Sequence, residues 1–373
     1  MKPVNLFYIN AGEGHRSAAE AIGEAFEARD VPHVVLDMGA LSNSLFRYNP
    51  AMTTSPFSRQ ALRILKGIHN VTDQDTSSKT LLSFLSDFDP AMVAGVESYV
   101  RDNSSHNSIC THFFPAYVLS EFRKKDLYRG RIYMVVTDYG FHKGWFNREV
   151  DKYFVTSDRV RQNLAGLGVE NVDMVMSGVP VRRKFREVEN REDLFWKNNL
   201  DKTIFNLLIL TNGISDSIIL RVLDKIYMTD LEMNLMVVTG KNQELLHQLA
   251  HYRSNDRINF HRYGFIDNLH EMMGISDLLL TKPGSLTVSE AFTTGTPLLM
   301  FRSLQYQETY NADYVEEKGS GIMADSEIEI LDMIRKLYFT PQIIETMRSN
   351  AKKAALPFAA ETIVETILGE EGK

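Results

Sequence analysis

The feature that most constrains this chain is an alternation that runs through it twice. Short apolar, β-rich runs are each followed by a glycine- or polar-marked turn and then by a stretch with helical spacing. In the first half the strand-like runs are residues 4–10, 33–36, 108–113, 131–137, 152–156 and 172–176. After the first of them, Ala18, Ala19, Ile22, Ala25 and Phe26 recur at spacings of three and four, and further helical stretches fall at 91–101, 116–125 and 158–166. In the second half, strand-like runs at 204–210, 234–239, 278–281 and 297–301 alternate with helical stretches at 217–227, 243–252, 287–293 and 308–317. Strands that alternate with helices predict parallel sheets covered on both faces, and 373 residues are too many for one core. The expectation is two doubly wound α/β domains facing a cleft. The first spans residues 1–181, a polar linker 182–203, and the second 204–355; a C-terminal helix at 356–373 packs back on the first.

Composition narrows the function classes. A net charge of −7 argues against a broad nucleic-acid surface. The single cysteine, Cys110, rules out an intrachain disulfide and a multi-cysteine metal site; it lies in an apolar run and reads as a buried strand residue. No apolar run approaches the ~20 residues of a spanning helix. The chain enters its first strand directly after Met1-Lys2-Pro3, so the expectation is a cytoplasmic protein with, at most, peripheral membrane contact.

Three constellations carry chemistry. The turn Gly12-Glu13-Gly14-His15 follows the first strand, where glycines let a ligand approach and a helix N-terminus favours an anion. His15 at that strand end can take a proton from an attacking hydroxyl; helix capping is the bland alternative. The second is Lys282-Pro283-Gly284-Ser285-Leu286-Thr287-Val288-Ser289-Glu290, between a strand and a helix. First-turn amides at Ser285, Leu286 and Thr287 would cradle a diphosphate, and Glu290 one turn on can accept ribose hydroxyls or simply be solvated. The third is Gln305-Tyr306-Gln307-Glu308-Thr309-Tyr310-Asn311, where Gln307, Glu308 and Asn311 suit sugar hydroxyls or helix capping.

Four segments together resemble a known family: residues 10–19, the run Thr137-Asp138-Tyr139-Gly140-Phe141-His142-Lys143-Gly144-Trp145, residues 150–181, and residues 282–319. The chain resembles the monogalactosyldiacylglycerol synthase / processive diacylglycerol glucosyltransferase group of glycosyltransferase family 28. More distantly it is similar to the peptidoglycan N-acetylglucosaminyltransferase. The resemblance implies a GT-B fold, two Rossmann-like domains, and an inverting, metal-independent hexosyltransferase with no cofactor. It implies a UDP-sugar donor held mainly by the second domain. His15 would be the base, Gly284 to Thr287 would hold the diphosphate, Glu290 the ribose, and Gln307 and Glu308 the hexose. Gly264-Phe265-Ile266 matches the uracil loop, so Phe265 and Ile266 join Gly14, Gly213 and Asn311 as donor-binding candidates. Asp138 and His142 stand as catalytic candidates, Asp138 as an orienter of a histidine, though each suits a structural role equally. The sequence departs from the family at Ser285, where a second glycine is usual, at Gln305-Tyr306 in place of Pro-Gly, and in the single-glycine turn Thr211-Asn212-Gly213-Ile214.

The resemblance also implies a lipid acceptor. Residues 38–72 hold no acidic residue but include Arg47, Arg59, Arg63 and Lys66. Phe57, Ala61, Ile64, Leu65 and Ile68 form a helical apolar stripe, so Phe57, Arg59, Arg63, Ile64 and Lys66, with Trp145, are candidates for contact with acceptor and anionic membrane. A core-packed surface helix explains the same stripe. The leading expectation is hexose transfer, glucose or galactose, to diacylglycerol or a related lipid in glycolipid biosynthesis. A UDP-sugar 2-epimerase, a transferase with a non-lipid acceptor, and a non-enzymatic donor sensor or membrane scaffold are the alternatives.

Overall fold

The computed structural model describes residues 2–10, 13–41, 90–188, 190–302 and 306–371. The chain divides into two compact units, Met1–Arg182 with Phe358–Lys373, and Arg183–Pro357.

The first unit is built on six parallel strands, β1 (Val4–Tyr8), β2 (His33–Asp37), β3 (Ser108–Cys110), β4 (Ile132–Val135), β5 (Lys152–Val155) and β6 (Met174–Met176), in the order β2-β1-β3-β4-β5-β6. Its helices are α1 (Glu13–Glu27), α2 (Pro90–Asp102), α3 (Phe113–Lys124) and α4 (Asp158–Gly166). Side chains alternate across the sheet with period two. Leu6, Ile109, Tyr133, Val135 and Phe154 point to one core, and Phe7, Cys110, Met134, Tyr153 and Val155 to the other. Both faces are buried, which is why these strands read as near-continuous apolar runs. Cys110 lies fully inside, and burial pushes its thiol pKa up, so it is an inert core residue.

The second unit repeats the plan. Its strands are β7 (Phe205–Leu210), β8 (Met233–Val238), β9 (Ile258–Tyr263), β10 (Leu278–Thr281), β11 (Leu298–Phe301) and β12 (Gly321–Ala324), in the order β12-β11-β10-β7-β8-β9, all parallel. Between them run α5 (Arg191–Lys197), α6 (Asp216–Tyr227), α7 (Gln243–Gln248), α8 (Leu269–Ile275), α9 (Ser285–Thr294), α10 (Tyr306–Glu317), α11 (Glu327–Phe339) and α12 (Pro341–Ala354). Two strands escape sequence reading. β9 has only one fully buried residue and carries His261 and Arg262, and β12 is four residues opening on glycine; both are edge strands.

Residues 183–203, expected as a linker, are structured against the second unit. The segment carries α5, whose Lys197 pairs with Glu271 at 2.6 Å, while Arg191 pairs with Asp277 at 2.6 Å. The chain then returns to the first unit as α13 (Ala359–Glu371), which lies against α1. Ile363, Val364 and Ile367 of α13 are fully buried in one core with Leu6, Ile22 and Phe26, each worth roughly 1.5–3 kcal/mol relative to exposure. Glu370 fixes the far end through Lys152 at 2.8 Å and Arg131 at 2.7 Å.

Candidate functional site

In a doubly wound sheet, ligands collect beyond the carboxyl ends of the strands where the order reverses. In the first unit that point lies between β1 and β3, and in the second between β7 and β10. Both are occupied by residues that the sequence marks.

His15 is the third residue of α1, just past β1. Its Nδ1 lies 2.9 Å from the backbone carbonyl of Thr111, which follows β3, and 3.1 Å from Thr137 Oγ1, which follows β4. A carbonyl can only accept, so Nδ1 carries the proton and Nε2 keeps a free lone pair. Thr111 grips the residue a second time, its hydroxyl donating to the His15 carbonyl at 2.9 Å. Burial lowers the His15 pKa to about 4 against a small opposing pull from the Thr111 carbonyl. The ring is therefore neutral at ordinary pH, which a base requires.

Aromatic groups surround this point. His112 stands edge-on to His15 with centroids 4.6 Å apart, and its Nδ1 accepts from Phe114 N at 3.1 Å, capping α3. That cap is why the strand expected to run to residue 113 stops at Cys110: Phe113 already belongs to the helix. His142 lies 5.4 Å from Phe113 and 5.3 Å from Trp145 between ring centroids.

Asp138 lies beside a histidine candidate, its carboxylate 4.0 Å from His142 Nε2, while Thr111 and Thr137 hold His15. One expectation for this region needs correction. Trp145 is 1% exposed and packs in the first unit's core, so its side chain offers no surface to a membrane. Gly14 lies in the first turn of α1, in the first unit, whereas the other donor-binding candidates belong to the second. Phe57, Arg59, Arg63, Ile64 and Lys66 lie outside the described residues.

The second unit's switch point is made mostly of backbone. α9 begins at Ser285, two residues earlier than its apolar spacing predicts, with Gly284 as N-cap and no side-chain cap. The amides of Ser285, Leu286 and Thr287 therefore have no acceptor within the helix and sit at its positive end. Glu290, one turn on, is largely buried. Phe265 and Ile266 follow β9 at the same sheet edge, Phe265 being 68% exposed. Gln307 falls on the first turn of α10.

Two donor-binding candidates have protein neighbours here. Gly213, with φ +81°, lies against the Lys282 stem: a Cβ there would stand 2.8 Å from Lys282 Cε. Asn311 is buried and donates to the Pro283 carbonyl at 3.1 Å, holding the loop. Glu308 sits beside it, its Oε1 2.5 Å from Lys282 Nζ.

Sequence reasoning missed Thr111, His112 and the role of Thr137, because it placed all three inside strands 108–113 and 131–137, which end at Cys110 and Val135. It also missed Thr239-Gly240-Lys241 after β8, where Gly240 has φ +57°; a positive-φ glycine at a strand end was the available signal. Among the described residues, no group of three or more His, Cys, Asp or Glu side chains is placed to hold a metal ion.

Comparison with known proteins bears directly on this arrangement. Residues 15–181 match the monogalactosyldiacylglycerol (MGDG) synthase family, and residues 215–363 match the glycosyltransferase family 28 C-terminal domain. A relative from Bacillus cereus (strain AH187), named processive diacylglycerol beta-glucosyltransferase, is 30% identical over 264 residues, covering 70% of this chain and 68% of that one. The chain belongs to the monogalactosyldiacylglycerol synthase / processive diacylglycerol glucosyltransferase group of family 28. A same-named relative from Bacillus pumilus (strain SAFR-032) is 25% identical across 98% of this glycosyltransferase and 94% of its own length.

Solved structures agree on the fold. MurG of Acinetobacter baumannii aligns with a TM-score of 0.65 at 14% identity, over 99% of this chain and 100% of that one. The S. aureus MnaA–UDP co-structure aligns with a TM-score of 0.65 at 15% identity, over 98% and 96%. This glycosyltransferase thus has two Rossmann-like domains of the GT-B type. Among the described residues, no helix is long and apolar enough to cross a membrane.

Proposed function

We propose that this glycosyltransferase moves a hexose, glucose or galactose, from a UDP-sugar to diacylglycerol or a related membrane lipid, with inversion at the anomeric carbon. The observation that carries the reading is the state of His15. The Thr111 carbonyl fixes its tautomer, burial keeps it neutral, and the nitrogen with the lone pair is Nε2. The lipid hydroxyl oxygen attacks the anomeric carbon while its proton passes to Nε2. The bond from that carbon to the diphosphate breaks, and its electron pair leaves with UDP. A single displacement of this kind inverts the centre.

The free amides at the start of α9 support the donor half of the reading, because a helix N-terminus favours the charge that builds on the leaving diphosphate. They meet that charge without a metal ion. The MnaA–UDP complex shows that a structure of this fold accommodates UDP, and the relatives named above support the lipid acceptor. Arg59, Arg63 and Lys66 would hold the enzyme against an anionic lipid surface at the inner face of the cell membrane.

The test is turnover of UDP-glucose and UDP-galactose with vesicles of diacylglycerol and anionic phospholipid, read by mass spectrometry of the lipid phase. Glycosylated diacylglycerol is the expected product. A sugar nucleotide consumed or isomerised without any lipid product sinks the proposal.

A further inference from the structure

Among the described residues, the mechanism leaves the buried charge of Glu308 unused. Glu308 is 6% exposed, Lys282 neutralises its Oε1, and its Oε2 has no hydrogen-bond partner among the described residues. A buried carboxylate oxygen without a donor destabilises the fold, and such an orphan in a folded protein calls for an explanation. A hydroxyl arriving with a ligand supplies the missing donor.

Lys282 is held where this matters. Its stem crosses Gly213, where a side chain would collide with it, and its loop is tied down by the Asn311 amide on the Pro283 carbonyl. The ammonium is thus committed to Glu308, although the free amides of α9 begin only three residues further on. The pair also resolves an electrostatic conflict. An uncompensated buried carboxylate beside a diphosphate site would repel the ligand; joined to Lys282 it forms a pair without net charge and still presents Oε2 as an acceptor.

Resting on the donor reading above, we infer that Lys282 is a positioning residue for sugar recognition. It compensates the charge of Glu308 and orients the carboxylate so that Oε2 accepts a hydroxyl of the donor's hexose, and it does not itself grip the phosphates. Gly213 is glycine so that Lys282 can reach.

The test is calorimetric titration of UDP, UDP-glucose and UDP-galactose into the wild type, Lys282→Met, Glu308→Gln and the double variant, with melting temperatures alongside. UDP affinity should stay within about threefold throughout. The ratio of UDP-hexose to UDP affinity should fall about tenfold in either single variant, by 1.4 kcal/mol, and no further in the double one. Lys282→Arg, which keeps the charge, should retain most of the ratio, and Gly213→Ala should lose it.

A tenfold fall in UDP affinity in Lys282→Met, or additive losses in the double variant, overturns the inference while leaving the donor reading intact. A wild type that binds no uridine nucleotide takes both down. If Lys282→Met does not fold, Glu308→Gln decides through the same ratio, and an unchanged value there overturns the inference.

Discussion

The two switch points sit at equivalent places in two sheets of the same topology, yet they are built from different materials. In the first unit the groups that converge past β1, β3 and β4 are side chains: an imidazole, two threonines, two further histidines and packed aromatics. In the second, the groups past β7 and β10 are mainly amides, a glycine that yields its space, and one ion pair. Side chains can be tuned in protonation, as burial tunes His15, and so suit bond making. Backbone amides cannot titrate and need no reorganisation, so they suit the holding of a constant anion.

The contrast breaks most visibly at His15. His15→Ala should lower kcat by about 10²–10⁴ while UDP affinity stays within about twofold, compared by turnover and calorimetry. Loss of both together would mean that the two regions do not divide the labour. The second region should respond to a change that touches no side-chain function. Ser285→Pro removes one first-turn amide at a position where helices tolerate proline, and Gly284, at ψ 130°, already has the conformation a following proline demands. UDP affinity should fall about tenfold, as for one charge-assisted hydrogen bond of about 1.5 kcal/mol, without loss of melting temperature.

Protonation separates the regions too. The folded pKa of His15, about 4, lies below its ordinary 6.5, so the unfolded chain binds the proton first. Stability from this residue is present above pH 6.5 and drains away as pH falls towards 4. His15→Gln should flatten that part of the melting-temperature profile, whereas Ser285→Pro should leave its slope unchanged. Smaller again is Thr137→Val, which removes one of the two groups at His15 Nδ1 but leaves the Thr111 carbonyl; a loss of kcat of about threefold is expected, with donor KM unchanged. Last, the proposal that amides rather than a metal meet the diphosphate predicts that a chelator alters turnover less than twofold.

The sheets were legible because both faces are buried. The central strands β1, β4, β7 and β10 are apolar on every residue but one or two and stood out at once. The edge strands β9 and β12 were not, since an edge needs little apolar surface. Of the site, residue types could be read but not their partners. His15 was identifiable from its place after β1, but its orienter is a main-chain carbonyl 96 residues away, which leaves no trace in residue identity. The neighbour of Gly213 was hidden for a similar reason. A glycine tells that space is needed, and only the fold tells that Lys282 occupies it.

The closure of the first unit by α13 sets an order of assembly. Residues 183–357 form a compact body of their own, complete before α13 has been made. The unit that bears His15 lacks Ile363, Val364 and Ile367 in its core until α13 has left the ribosome. During synthesis the unit of residues 183–357 can therefore finish folding before the unit that bears His15.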